Sequence, residues 1–195
     1  MAAETGPGGL IIFLNGTSSS GKSSIAGELL PILGDTYFYL PVDAFHAMRT
    51  TPADLGPDQL KVVLERTWRG FHRAVAGLAA GGNNVVVDHV LSEPWRLLDC
   101  LTLFTPEDVV LVGVRCPLPE LERREQRRGD RPAGLAARQL DRVHAHGHYD
   151  IECDTGAASP ADCARRIRDF LPRRPRPTAF ERLKSARSDE MARRT

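Results

Sequence analysis

The 195-residue sequence predicts a three-layer α/β domain built on a parallel sheet. Short apolar, β-branched runs alternate with helix-length segments, the pattern of repeated β-α-β units. The first run, LIIFLN at Leu10 to Asn15, passes directly into GTSSSGKS, a glycine-rich turn joining a buried strand to a helix. Two carboxylates, Asp43 and Asp88, stand at the ends of later runs, where parallel sheets gather ligands.

Composition excludes several classes. The chain carries 26 Lys/Arg and 25 Asp/Glu, a net of +1, so neither a strongly basic nucleic-acid surface nor a uniformly acidic one is expected. Apolar runs stop well short of a membrane span, and the N terminus lacks the basic and apolar regions of a secretory leader, so the expectation is a cytoplasmic protein with no membrane partner. Cys100, Cys116, Cys153 and Cys163 lack the paired spacing of a zinc site and read as reduced core residues. From Pro172 to Thr195 there are eight basic and three acidic side chains, a net of +5 that leaves −4 for residues 1–171. Pro172, Pro175 and Pro177 interrupt regular structure there. Residues 1–9 therefore read as a flexible lead, 10–171 as the domain, and 172–195 as a basic Pro/Arg-rich appendage with room for a short final helix.

The first strand delivers Gly16, Thr17, Ser18, Ser19, Ser20, Gly21, Lys22 and Ser23 to a helix amino end, the arrangement in which loop N–H groups face phosphate oxygens. The glycines allow a close turn, Lys22 reaches the β/γ-phosphate region, and the Ser23 hydroxyl suits Mg²⁺; Thr17 to Ser20 contribute mainly backbone. ATP and Mg²⁺ are the implied cofactors, and the class is a P-loop nucleotide kinase-like fold. Ser24 to Leu30 supplies the first helix, ended by Pro31 and Gly34.

Tyr37 to Leu40 forms the second strand and ends at Pro41-Val42-Asp43. Asp43 suits either proton acceptance from an alcohol or water-mediated hold on Mg²⁺. Thr50 to Pro57 is a surface excursion, and a long amphipathic helix runs from Asp58 to Gly81-Gly82. Phe45, Met48 and Trp68 are candidates for an apolar acceptor pocket, with core packing the competing role for Trp68.

Asn84 to Asp88 is the third strand, and Asp88 is the second carboxylate able to orient a metal or its water. From the residues alone, Asp43 and Asp88 remain exchangeable in these roles. His89 contacts either the acceptor or a local hydrogen-bond partner. A helix over EPWRLLDCL, a fourth strand over Val109 to Val114 and a helix opened by Pro119 follow. Arginines among glycines from Arg127 to Gln139 form a candidate lid, with Arg128 and Arg131 the candidates to close on nucleotide and Arg138 a weaker one. His144, His146 and His148 alternate without the acidic partner a metal site needs, and read as acceptor contacts, surface hydrogen-bonding groups or packing. Tyr149 to Asp154 is the fifth strand, and Ser159 to Phe170 the helix completing the three layers.

The ordered set IIFLNGTSSSGKS, VDAF, VVVDHV, VGVRCPLPELE, RGDRPAGLAARQ and HYDIECDT resembles the chloramphenicol phosphotransferase family over residues 10–171. The resemblance implies a small Mg-ATP-dependent kinase that phosphorylates an alcohol on an antibiotic-like molecule, with chloramphenicol a candidate. It implies Asp43 as acceptor of the hydroxyl proton, Lys22 and Ser23 as nucleotide and Mg²⁺ contacts, and Arg128 and Arg131 as the closing basic segment. His89 and PVDAFHAM depart from the family pattern on the acceptor side. Competing expectations are a shikimate- or nucleoside-kinase-like metabolic enzyme on the same core, and a nucleotide-dependent interaction protein.

Overall fold

The computed structural model describes residues 8–129 and 134–193. The expected lead, 1–9, lies outside the described residues except for Gly8 and Gly9, and the Gly9 N–H donates to the Ala79 carbonyl. Five strands, β1 (Ile11–Asn15), β2 (Tyr37–Pro41), β3 (Asn84–His89), β4 (Val109–Arg115) and β5 (Ile151–Asp154), form one sheet in the order β2-β3-β1-β4-β5. Every pairing is parallel, as the alternating pattern requires, because each crossover contains a helix. The central strand β1 is buried along its whole length, which explains its uninterrupted apolar run.

Two cores cover the two faces. Ile11, Phe13, Val85, Val87, Val109 and Leu111 face α3 (Pro57–Ala80) and α4 (Pro94–Leu103). Ile12, Leu14, Val86, Val110 and Val112 face α1 (Lys22–Leu29) and α7 (Pro160–Phe170). The period-two alternation along β3 places Asp88 on the α1 side and His89 on the α3 side.

The long helix α3 starts at its proline, with Gly56 as N-cap, and ends at Gly81, matching the sequence expectation within a residue. A short helix, α2 (Val42–Ala47), follows β2 directly and was not anticipated; Asp43 lies in its first turn rather than on the strand itself. After β4 come α5 (Leu118–Arg128), ended by Gly129 at φ 67°, and α6 (Leu135–Val143). Buried Glu125 on α5 holds the start of α6 by accepting from the Gly134 and Ala136 N–H groups.

The appendage expectation for 172–195 requires correction. Helix α8 (Ala179–Arg193) begins inside the α3/α4 core, with Ala179 and Phe180 fully buried. The Phe180 ring stacks on Phe104 at 6.1 Å. Thr178 Oγ1 donates to the Pro106 carbonyl, and the Ala179 N–H donates to Asp150 Oδ1. The prolines and positive charge obscured this segment because only its first turn carries the apolar anchor; the rest of α8 is largely exposed.

Candidate functional site

At the carboxyl ends of the central strands, the loop from Gly16 to Gly21 winds back over the start of α1. Gly16 has no room for a side chain, since a Cβ would stand 2.5 Å from the Val114 carbonyl oxygen. Ser19 and Gly21 both take positive φ, 62° and 96°, turning the backbone so that consecutive N–H groups curve around one concavity. The Ser18 N–H donates to Gln139 Oε1 at 2.8 Å, so α6 reaches the loop directly.

Lys22 is buried at the helix start. Its Nζ donates to the Thr17 carbonyl at 2.8 Å and lies 3.7 Å from Asp88 Oδ1. Ser23 Oγ donates to Asp88 Oδ2 at 2.5 Å, and the Tyr39 hydroxyl is 3.4 Å from the same oxygen. Burial and the Asp88 charge push the Tyr39 phenol up to about 12, so it is a neutral donor there. A hydroxyl oxygen beside a carboxylate at the mouth of a phosphate loop is the hard-oxygen donor set that Mg²⁺ takes together with phosphate oxygens, so the residues fit that ion.

A single cavity of about 970 Å³ connects this loop to the α2, α3 and α4 side. Ser18, Ser19, Gly21, Lys22, Ser23 and Asp88 line one part, and Asp43, His46, Trp68, His89 and Arg96 the other. Arg128 and Arg138 also line it; Arg131 lies outside the described residues. Gly16, Thr17 and Ser20 are structural parts of the turn behind the cavity wall.

Two pocket expectations need correcting. Met48 is 78% exposed and Phe45 packs on Phe71 at 5.5 Å, and neither lines the cavity. Asp43 and His46, three residues apart on α2, share the cavity face, while the Phe45 ring turns onto Phe71 of α3. Trp68 combines its two candidate roles, lining the cavity and packing against the core.

His89 is fully buried and ends a chain of hydrogen bonds. Asp99 Oδ2 lies 2.7 Å from His72 Nδ1, and His72 Nε2 lies 3.1 Å from His89 Nε2. Burial lowers both imidazoles below their ordinary value, so both are neutral at pH 7. The Asp99 carboxylate then assigns the His72 proton to Nδ1, His89 donates from Nε2, and His89 Nδ1 is left as an acceptor without a partner. In His46, Arg49 donates to Nδ1 at 3.1 Å, which leaves the proton on a buried, unpartnered Nε2.

Sequence reasoning missed Arg96, Arg124, His72 and Asp99. Arg124 lines the cavity and braces the loop through Thr155, donating to its hydroxyl and carbonyl while that hydroxyl donates to the Ser20 carbonyl; Glu120 holds the Arg124 Nε. The i, i+4 spacing of Glu120 and Arg124 was a readable signal; the His72 to His89 contact joins separate elements and left none. His144 and His146 gather around Tyr149: Asn15 Nδ2 donates to the Tyr149 hydroxyl, which donates to His144 Nδ1. Asn15 Oδ1 also accepts the Leu91 N–H, tying the end of β1 to the segment after β3.

The parallel sheet and its strand–loop–helix phosphate site define a P-loop kinase-like fold. A model of chloramphenicol phosphotransferase-like proteins matches residues 9–172, and the chain belongs to that family. It is 30% identical over 207 residues to a Mycobacterium tuberculosis protein provisionally named an O-phosphotransferase, covering 94% of this chain and 92% of that one. Among solved structures it is similar to the M. tuberculosis APS kinase CysC in complex with AMPPNP and APS, at TM-score 0.65 and 22% identity, over 86% of this chain and 99% of that one. The Acinetobacter baumannii shikimate kinase bound to shikimate aligns at TM-score 0.62 and 15% identity, over 85% and 94% of the two chains. The Deinococcus radiodurans tunicamycin resistance protein aligns at TM-score 0.60 and 17% identity, over 84% and 95%. These three likenesses establish the fold.

Proposed function

We propose that the protein is an ATP-dependent O-phosphotransferase that moves the terminal phosphoryl group of ATP to a hydroxyl of a small molecule. The observation that carries this reading is one continuous cavity with Lys22, Ser23 and Asp88 in one wall and Asp43 in another. Family membership and the provisional name of the M. tuberculosis relative support the same reaction class.

In this reading the cavity-lining loop residues Ser18, Ser19, Gly21, Lys22 and Ser23, through backbone N–H groups and the Lys22 ammonium, bind the polyphosphate and hold its terminal group in line with the acceptor. Ser23 and Asp88 would hold Mg²⁺, which supplies charge neutralisation on phosphate oxygens when bound. Asp43 accepts the hydroxyl proton as the oxygen attacks. Arg128 and Arg131 add positive charge over the phosphates, and the α6 contact to Ser18 supports closure from that side. Tyr39, bonded to the oxygen of Asp88 that Ser23 also meets, fixes the carboxylate. Trp68 and His89 border the acceptor.

A mass-resolved screen with labelled ATP against chloramphenicol, related antibiotics and metabolic alcohols tests the reading. A labelled, mass-shifted alcohol is expected. Nucleotide binding without any labelled acceptor would contradict it.

A further inference from the structure

Arg96, on the first turns of α4, is a buried cation with an unfilled edge. It is only 8% exposed and lines the cavity. Its face lies 3.7 Å from the Trp68 ring centroid, with Trp95 at 5.8 Å. Nη1 donates to the Val90 carbonyl at 2.9 Å and to Ser92 Oγ at 3.2 Å. Nε is buried without a partner, and among the described residues no hydrogen bond is made by Nη2.

The indole covers the guanidinium face, and cation–π contact leaves in-plane N–H groups unsatisfied. The unpaired Nε–Nη2 edge has the fork geometry that pairs with a carboxylate through two parallel hydrogen bonds. Among the described residues no carboxylate forms an ion pair with Arg96; the nearby Glu93 is bonded to Arg142 at 2.9 Å. Burying a charge without a counter-ion is costly. Burial lowers Arg96 only to about 10, so it remains charged at pH 7.

Arg96 belongs to the acceptor side of the cavity. The His46 ring packs against Trp68 at 5.3 Å, and His46 lies one helical turn from Asp43. Asp43, His46, Trp68 and Arg96 thus follow one another along the cavity wall. We propose that the acceptor is a small hydroxylated carboxylic acid, its carboxylate gripped by the Nε–Nη2 edge of Arg96 while its hydroxyl faces Asp43. The proposal deepens the phosphotransferase reading and rests on it for the hydroxyl, but the carboxylate grip is separable from turnover.

The test uses the full chain and two readouts. In the first, wild-type protein is offered hydroxy acids, their methyl esters and carboxamides, and phosphomonoester alcohols, with labelled ATP. In the second, binding of the same compounds is measured by calorimetry without ATP. The expected result is transfer to, and binding of, the hydroxy acids, with esters and amides weaker by about 10²-fold. Arg96→Gln should raise KM for the acid by a similar factor with a smaller change in kcat and unchanged nucleotide affinity, and Arg96→Lys should recover part of the loss. Should Arg96→Gln fail to fold, the acid-against-ester comparison on wild type decides alone.

Acid binding without transfer would leave the carboxylate site standing and remove the phosphotransferase reading. Equal use of neutral alcohols, chloramphenicol included, would overturn the carboxylate site and leave phosphotransfer intact. Preference for phosphomonoesters, or absence of acid binding, would also overturn it.

Discussion

Ser23 Oγ and Asp88 Oδ2 lie 2.5 Å apart, joining the first turn of α1 to the end of β3. The two residues are far apart in sequence and meet because β1 and β3 are paired in parallel, with Asn15 opposite His89 and Leu14 opposite Asp88. The loop after β1 therefore always arrives beside the carboxylate that β3 delivers.

Breaking that pair should disable transfer while sparing the fold. Ser23→Ala and Asp88→Asn are each expected to lower transfer by about 10²-fold or more, and to weaken the Mg²⁺ dependence of nucleotide binding, because on the proposed reading the first removes a hard-oxygen donor and the second the negative charge that would hold the ion. Titration of nucleotide affinity with Mg²⁺ measures this; wild-type Mg²⁺ dependence in both variants would remove them from the metal role.

Asp43 and Lys22 should separate binding from chemistry. Asp43→Asn keeps the shape of the side chain but cannot accept a proton, so kcat should fall by about 10²- to 10⁴-fold with nucleotide affinity near wild type. Lys22→Ala should weaken nucleotide affinity as well as kcat, since its ammonium lies within the loop itself. Steady-state kinetics beside equilibrium nucleotide binding gives both quantities.

Phe180 should behave as a core residue despite its place in a charged C-terminal segment. Phe180→Ala removes a fully buried ring stacked on Phe104 and should cost about 3–5 kcal/mol. Removing residues 172–195 should be at least as damaging. Denaturant melts measure both, and a truncated chain as stable as the parent would contradict the packing of α8.

Acid should destabilise the fold through His144 and His146. Burial pushes each down to about 4, against an ordinary value of 6.5. Below pH 6.5 the unfolded chain binds protons that the folded chain refuses, so this contribution is complete above 6.5 and is lost progressively as pH falls toward 4. A His146→Gln variant should therefore show a shallower fall of Tm between pH 6.5 and 4.5 than wild type. Parallel slopes would place the proton uptake elsewhere.

The strands and the phosphate loop were legible because their signals are local. An apolar run that ends in GTSSSGKS carries its strand, turn and helix in fourteen consecutive residues, Leu10 to Ser23. The expected strand and helix starts fall close to those found, except that the fifth strand begins at Ile151 rather than Tyr149, whose hydroxyl is drawn into the Asn15 network instead. What stayed hidden depends on contact between distant segments. Helix α2 is only six residues long, too short for a periodic signal, and its turn decides that His46 rather than Met48 faces the cavity. Arg96 resembles any helical arginine until Trp68, from a different helix, covers its face. Phe180 is one aromatic residue among prolines and arginines, and its burial follows from where β4, α3 and α4 leave space.

On the proposed reading, residues 16–23 aim a terminal phosphate at a hydroxyl held beside Asp43. The most direct measurement is a structure of the protein with a non-hydrolysable ATP analogue and Mg²⁺. The terminal phosphate is predicted to lie against Lys22 and point across the cavity toward Asp43, with space for an alcohol between them. A terminal phosphate turned away from Asp43, with the α2 side closed to any acceptor, would contradict that reading.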